Sequence, residues 1–275
     1  MTIDLQAKYD PAAISFDSIG RNESPGDWQF VWGHGWGQSK AAMTQLAQSL
    51  TSIGSHVLVD FPGFGASPAP TGAWTTADYA DLTARFIKQL APSKPLVWVG
   101  HSFGGRVGLQ LASRHPQLIA RLVLIAAAGL QRRRSVTDRA RVAGKVYTFK
   151  ALKHLSPVLG LDIERLRDRF GSADYRNAGD LRSTLTNVVR EDLSDVARTV
   201  QCPSRLVYGD RDTETPPDIG VRLEQLIPDA RLTVLEGQDH YSLLGDGRHL
   251  VAKRIRDFLD DRPTPIATAR NEAQS

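Results

Sequence analysis

Cysteine is almost missing from this 275-residue chain: Cys202 stands alone, so no disulfide can close within it. A chain that does without disulfides fits a reducing compartment, and a cytoplasmic location is expected. Long apolar runs are missing as well. No stretch approaches the roughly 20 residues that cross a bilayer, so stable membrane insertion is not expected. The opening Met1-Thr2-Ile3-Asp4 carries an early acid and no apolar stretch, unlike a secretory leader. Paired histidine or cysteine spacings are absent, and so are a phosphate loop and a dinucleotide glycine pattern. Neither a metal nor a cofactor is expected. There is no internal repeat and no low-complexity tract.

Charge of one sign is scarce except in one place. The net charge is +4, but between residues 131 and 153 Arg132, Arg133, Arg134, Arg139, Arg141, Lys145, Lys150 and Lys153 face only Asp138. The remainder is therefore mildly acidic, which is not the footprint of a nucleic-acid binder, and no nucleic-acid partner is expected. The basic segment reads first as a solvated helical face, second as an attractor for an anionic substrate or surface.

What the chain does have is a rhythm. Hydrophobic residues make up 41% of it, enough for a large core. Short apolar runs recur at Trp28–Trp32, His56–Val59, Leu96–Val99, Leu122–Ala126, Arg205–Tyr208 and Leu232–Leu235, with Ala13–Phe16 as a candidate edge strand. Several are apolar throughout, as strands covered on both faces are. Helical spacings lie between them: Met43, Leu46, Ala47 and Leu50; Tyr79, Leu82, Phe86 and Leu90; Val107 to Leu111; and Val251, Ile255, Phe258 and Leu259. Alternating strand and helix predicts a mostly parallel sheet flanked by helices, an α/β fold. The rhythm breaks between Gln131 and Arg198, which are polar, helical and punctuated by glycines. We expect a core of residues 13–130 and 199–261, a helical cap at 131–198, and a flexible tail at 262–275.

One pentapeptide carries chemistry. Gly100-His101-Ser102-Phe103-Gly104 lies between the apolar run Leu96–Val99 and a helical pattern. A serine on a tight strand-to-helix turn presents its hydroxyl, and side chains two residues either way would collide. Ser102 is the candidate nucleophile. It needs a base and an acid to orient that base. Of seven histidines, His240 and His249 come late in the chain. His240 follows the last strand pattern directly, and His249 opens the last helix. His240 is preferred. Asp210, Asp212 and Glu214 follow the Arg205–Tyr208 run and are the candidate acids. Backbone N–H groups must stabilise an oxyanion. Phe103, next after the nucleophile, and Trp36, in His34-Gly35-Trp36-Gly37, are the candidate donors.

Together these segments resemble the α/β-hydrolase superfamily, in its lidded esterase-like branch. His34-Gly35-Trp36-Gly37 resembles the oxyanion loop of that family, and Asp60-Phe61-Pro62-Gly63-Phe64-Gly65-Ala66-Ser67 its D-x-P-G-x-G-x-S segment. Gly100 to Gly105 resembles the nucleophile elbow. Gly209-Asp210-Arg211-Asp212 is similar to the acid loop and singles out Asp212. Gly237-Gln238-Asp239-His240 is similar to the histidine loop. Some relatives carry the acid after the strand ending near Ala126, where this chain has no carboxylate. The likeness runs from about residue 28 to 260. Asp239 departs from the usual small residues before the histidine and sets a second carboxylate beside the base.

The resemblance implies a serine hydrolase that cleaves a carboxylic ester of small to medium acyl size through an acyl-enzyme, with Ser102, His240 and Asp212 as triad. Gly35, Phe61, Phe64 and Tyr241 are expected around the substrate, and Trp36 and Phe103 on its wall. The same triad on a carbon–carbon bond, a lactone, a peracid or an acyl transfer is the alternative. Carbon–carbon hydrolases of the family usually carry Trp where Tyr241 stands. A ligand-binding receptor on a hydrolase scaffold is the second alternative. Serine at 102 excludes likeness to the dehalogenases and epoxide hydrolases, which place Asp there. The partner expected is a small-molecule ester; the oligomeric state is open.

Overall fold

A computed structural model describes residues 10, 14–20, 26–131, 144, 147–148, 152 and 173–260. The tail expected at 262–275, most of the basic segment and much of the expected cap lie outside the described residues.

Seven strands form one sheet: β1 (Phe16–Ile19), β2 (Trp28–Gly33), β3 (Gly54–Val59), β4 (Leu96–His101), β5 (Arg121–Ile125), β6 (Ser204–Gly209) and β7 (Ala230–Leu235). Their order is β1-β3-β2-β4-β5-β6-β7. β1 runs antiparallel to β3 and the other pairings are parallel. The edge strand expected over Ala13–Phe16 lies later, because Phe16 pairs with Val59 and Ile19 with His56. Ile14 is buried instead as an anchor before the strand.

Alternate residues of each strand face opposite layers, which is why the runs read as continuously apolar. Val31, Val59, Trp98, Leu124 and Tyr208 join one core with Tyr79, Phe86, Val107 and Leu223. Phe30, Trp32, Leu58, Val99 and Val207 join the other with Met43, Leu46, Val251, Ile255 and Phe258. The helices supplying the first are α2 (Thr76–Leu90), α3 (Phe103–Arg114) and α7 (Pro217–Leu226). Those supplying the second are α1 (Thr44–Gln48), entered through a 3-10 turn at Lys40–Met43, and α8 (Arg248–Asp260). α2 starts at a reciprocal cap: Thr75 accepts from the Asp78 N–H, and Asp78 accepts from the Thr75 N–H, a device that contributes about 1 kcal/mol.

Between β5 and β6 the described residues form three short helices, α4 (Ala173–Asn177), α5 (Arg182–Arg190) and α6 (Ser194–Arg198), and no strand. α5 is tied down by Trp74, whose N–H donates to Thr184 Oγ1 at 3.1 Å and whose carbonyl accepts from Asn187 at 3.3 Å.

Connections after β2 and β4 leave toward opposite faces of the sheet. Adjacent parallel strands that part in this way open a crevice at their carboxyl ends. All the segments singled out in the sequence end there: the loop after β2, the turn after β4, and the loops after β6 and β7.

Candidate active site

Backbone geometry at Ser102 sets the site. Its φ is +50° and ψ −105°, where a side chain other than glycine's is strained. Packing keeps it there. A Cβ on Gly100 would stand 2.2 Å from the Gly104 carbonyl oxygen, and one on Gly104 would stand 2.1 Å from that of Gly33. Two glycines flanking the serine are therefore required by backbone-to-backbone contact. The turn is also pinned by hydrogen bonds. Ser102 N–H donates to Ile125 O at 3.0 Å, and Ala128 N–H donates to Ser102 O at 3.2 Å.

His240 and Asp212 meet as one buried unit. They are 4% and 3% exposed, and His240 Nδ1 lies 2.8 Å from Asp212 Oδ2. The other carboxylate oxygen, Oδ1, accepts the N–H groups of Glu214 and Thr215, both at 2.8 Å. Burial opposes the charge on Asp212, but His240 and the Thr215 donors outweigh it and hold the carboxyl below its ordinary range. Asp212 is thus an ionised acceptor, and Nδ1 carries the proton it donates. That leaves Nε2 as the free nitrogen of the ring, and it points toward Glu214, 3.6 Å from Oε2. Asp210 is exposed and held by its backbone to Leu235. His249 is bonded to Asp246 O on the surface.

The two loops carrying the pair are fastened together. Arg211 N–H donates to Gln238 O at 2.9 Å, and any Cβ on Gly209 would stand 2.2 Å from that same oxygen. His101 joins the Ser102 turn to the His240 loop: its Nε2 lies 3.0 Å from His240 O, and the two rings are 4.7 Å apart. Burial drives the His101 pKa down to about 3, so the ring is neutral.

Trp36 and Phe103 line one cavity with Ser102, their rings 5.3 Å apart. The Gly104 N–H donates to His34 O at 2.9 Å, which holds the loop after β2 against the start of α3. Phe103 is the first residue of α3, where an N–H has no intrahelical acceptor. His34 accepts the Phe61 N–H on Nε2 at 3.1 Å, so its Nδ1–H donates to Gly35 O at 2.7 Å. Burial lowers its pKa to about 4 and keeps that tautomer neutral.

These groups open on a cavity of about 430 Å³ lined by Trp36, Ser102, Phe103, Arg106, Leu185, Val188, Glu214 and Tyr241, among others. Of the residues expected around the substrate, Tyr241 lies there. Phe61 and Phe64 do not: they stand behind the wall, their rings 5.3 and 6.1 Å from that of Phe103. Gly35 is turned into its own loop, its N–H bonded to Gln38 Oε1 at 2.9 Å. Phe61 and Phe64 fill the aromatic core that supports the wall. Asp60, at the head of their segment, accepts the N–H groups of Lys40 and Ala66 and fixes the loop.

Asp239, the residue before His240, spends its carboxylate on its own turn. Its Oδ1 accepts the N–H groups of Tyr241 and Ser242 and caps its own turn. The carboxylate that reaches the histidine from the cavity is Glu214. Thr215, Arg106 and the α5 residues were not legible as site residues. Glu214 was weighed only as an acid.

The profile of the alpha/beta hydrolase family matches residues 30–254. Among curated proteins, the chain is 30% identical to the pimeloyl-[acyl-carrier protein] methyl ester esterase of Neisseria meningitidis serogroup B over 245 residues, covering 82% of this chain and 91% of that one. The enzyme of the same name from Vibrio parahaemolyticus is 27% identical over 243 residues, with 83% and 92% covered. Among solved structures, the enol-lactonase of Burkholderia xenovorans superposes with a TM-score of 0.68 at 23% identity, covering 90% of this chain and 96% of that one.

Proposed function

This chain belongs to the α/β-hydrolase family and is a carboxylic-ester hydrolase, and we propose that it works through an acyl-enzyme on Ser102. The observation that carries this reading is the buried Asp212–His240 pair, with Nδ1 committed to the carboxylate, on a loop that His101 ties to the turn where Ser102 is held at positive φ.

In the proposed reaction Nε2 of His240 takes the hydroxyl proton as Ser102 Oγ bonds to the ester carbonyl carbon. The carbonyl π electrons move to its oxygen, and the N–H groups of Trp36 and Phe103 receive that charge. Asp212 stabilises the imidazolium without taking its proton. As the tetrahedral adduct collapses, the carbon–alkoxy bond breaks and His240 protonates the departing alcohol. Water then enters, loses a proton to His240 and attacks the acyl carbon. Collapse returns Ser102 and releases the acid.

The cavity supports a small to medium acyl group. The relatives are named for a methyl ester, which fits a small alcohol on the histidine side. The helices between β5 and β6 serve as cap, with Leu185 and Val188 closing the acyl pocket. No described helix is long and apolar enough to cross a membrane. We place the enzyme in the cytoplasm, acting on a small-molecule ester and not on nucleic acid.

A panel of chromogenic esters, offered to the wild type and to Ser102→Ala, tests the reading. Turnover by the wild type alone is expected, together with fluorophosphonate labelling that the variant loses. Equal turnover by both proteins, or labelling that survives in Ser102→Ala, would overturn it.

A further inference from the structure

Arg106 is a cation where an ester pocket needs none. It sits one helical turn after Ser102 on α3 and lines the same cavity, yet the residue is only 8% exposed. Taking a guanidinium out of water is costly unless its charge and its five N–H donors are matched. Among the described residues Arg106 makes one hydrogen bond, from Nη1 to the main-chain oxygen of Glu191 at 3.3 Å.

The two acids nearest to hand are engaged elsewhere. The Glu191 carboxylate takes the N–H of Thr76 at 3.0 Å and also the Thr76 hydroxyl. Asp192 Oδ1 takes the N–H and hydroxyl of Ser194. Among the described residues no carboxylate pairs with the guanidinium within 4.0 Å; Phe103, Leu185 and Val188 of the cavity lining offer no acceptor side chain, and the two carboxylates of that lining, Asp174 and Glu214, stand near Tyr241. Among the described residues Arg106 is thus a largely buried cation with donors to spare, Glu191 and Asp192 its nearest counter-charges, in the lining of the space that a substrate fills.

The cavity is also polar in a direction. Glu214 and Tyr241 line it at the His240 end. His240 hands its proton to the leaving alcohol, so that end receives the alcohol, and a carboxylate there disfavours an anionic alcohol. That leaves the acyl chain the part of the cavity lined by Phe103, Leu185, Val188 and Arg106. Resting on the ester-hydrolase reading above, we propose that Arg106 is a specificity-determining residue that binds a carboxylate on the acyl chain, and that the substrate class is the half-ester of a dicarboxylic acid, cleaved at its neutral alkyl-ester end. A planar guanidinium pairs with a carboxylate through two parallel hydrogen bonds, and inside a low-dielectric pocket that pairing discriminates strongly against a methyl group at the same place.

The test compares three methyl esters of matched chain length: the monomethyl half-ester of a medium-chain dicarboxylic acid, its dimethyl ester, and the methyl ester of the monocarboxylic acid. In the wild type, kcat/KM for the half-ester should exceed that for the monocarboxylic ester by about tenfold or more, mainly through KM. The half-ester should also lead the dimethyl ester, whose far end is neutral. In Arg106→Met the preference should fall to near one, and Arg106→Lys should keep part of it. The ratio is the readout because a purely structural role, holding the Glu191 carbonyl, would lower all three rates together and leave the ratio alone. A second measurement needs no variant: the free dicarboxylate should inhibit hydrolysis of the neutral monocarboxylic ester about tenfold more tightly than the monocarboxylate does. Turnover of neutral esters with no preference for the half-ester, or a preference that survives in Arg106→Met, overturns the assignment of Arg106 and leaves the hydrolase reading standing. No turnover of any of the three, with no fluorophosphonate labelling of Ser102, overturns that reading and this one with it.

Discussion

At the scale of single residues, Thr215 shows how much of the site depends on groups that no motif names. Its hydroxyl lies 2.9 Å from Asp212 Oδ2, 2.9 Å from Ala126 O and 3.1 Å from His240 Nδ1. A hydroxyl carries one proton, so it donates to either the carboxylate or the carbonyl while its oxygen fills the space beside the imidazole. We class it as a positioning residue for the dyad. Thr215→Val keeps the shape and removes the hydroxyl. We expect kcat to fall about five- to tenfold with KM little changed, the value of one hydrogen bond to a charged group. Thr215→Ser should restore most of the loss; a serine variant no better than valine would sink the assignment. Asp212 and His240 were readable because each sits in a motif with glycine at a fixed offset, and glycine spacing is a backbone requirement that sequence displays openly. Thr215 and Arg106 were not, because their partners, Ala126 and Glu191, lie far away along the chain, and only the fold brings them near. Phe61 and Phe64 misled in the opposite sense: aromatic residues next to a site motif look alike whether they touch a substrate or support the residue that does.

At the scale of elements, the strand-to-helix turn at Ser102 depends on close backbone packing more than on side-chain chemistry. Gly104→Ala places a Cβ 2.1 Å from the Gly33 carbonyl oxygen and 3.0 Å from that of His34. Neither atom belongs to a side chain that could swing aside, so β4 and α3 must move away from β2. A destabilisation of about 3 kcal/mol or more is expected, read from the urea midpoint, with activity lost beyond the loss of folded protein. Gly72→Ala is the control: its φ is +78°, but an added Cβ would meet nothing within 4 Å. Only the left-handed strain remains there, about 1 kcal/mol. A cost at Gly104 no larger than that at Gly72 would show that the backbone around the turn gives way to the added Cβ and that contact does not select glycine there. The elements themselves were legible where period and length agreed. Six strands and the helices at α2, α3 and α8 follow directly from apolar spacing. α7 was missed because Gly220 breaks its apolar face, and the glycine is there because the Tyr208 ring lies 2.8 Å from where a Cβ would be. The helices between β5 and β6 are short and carry few apolar residues: α5 sets Leu185 and Val188 against the cavity, and α6 adds Ala197 to the core.

At the scale of the whole molecule, three buried histidines tie stability to pH. His34 closes the loop after β2, His101 joins the Ser102 turn to the His240 loop, and His56 stacks on Phe30 at 4.5 Å while accepting the Trp32 indole N–H at 3.1 Å. Burial lowers the pKa of His34 and of His56 to about 4 and that of His101 to about 3. In the unfolded chain each would titrate near 6.5, so between that value and the folded one the unfolded state holds protons that the folded state refuses. The stability these rings permit is complete above pH 6.5 and is lost as pH falls toward 4, by about 3 kcal/mol for each ring. Three such losses are comparable with the 5–15 kcal/mol that holds a typical domain together, so acid unfolding is expected well above the range in which Asp212 or Asp60 would be protonated. Urea titrations at several pH values would measure this as a steep fall in unfolding free energy below pH 6.5. His56→Phe, which keeps the stack on Phe30, should reduce the slope between pH 5 and 6 by about 1 kcal/mol per pH unit even though the lost indole acceptor makes the variant less stable at neutral pH. A slope that does not change would mean that the His56 ring takes up its proton in the folded sheet as readily as in the unfolded chain, and would leave His34 and His101 as the histidines that couple acid to unfolding.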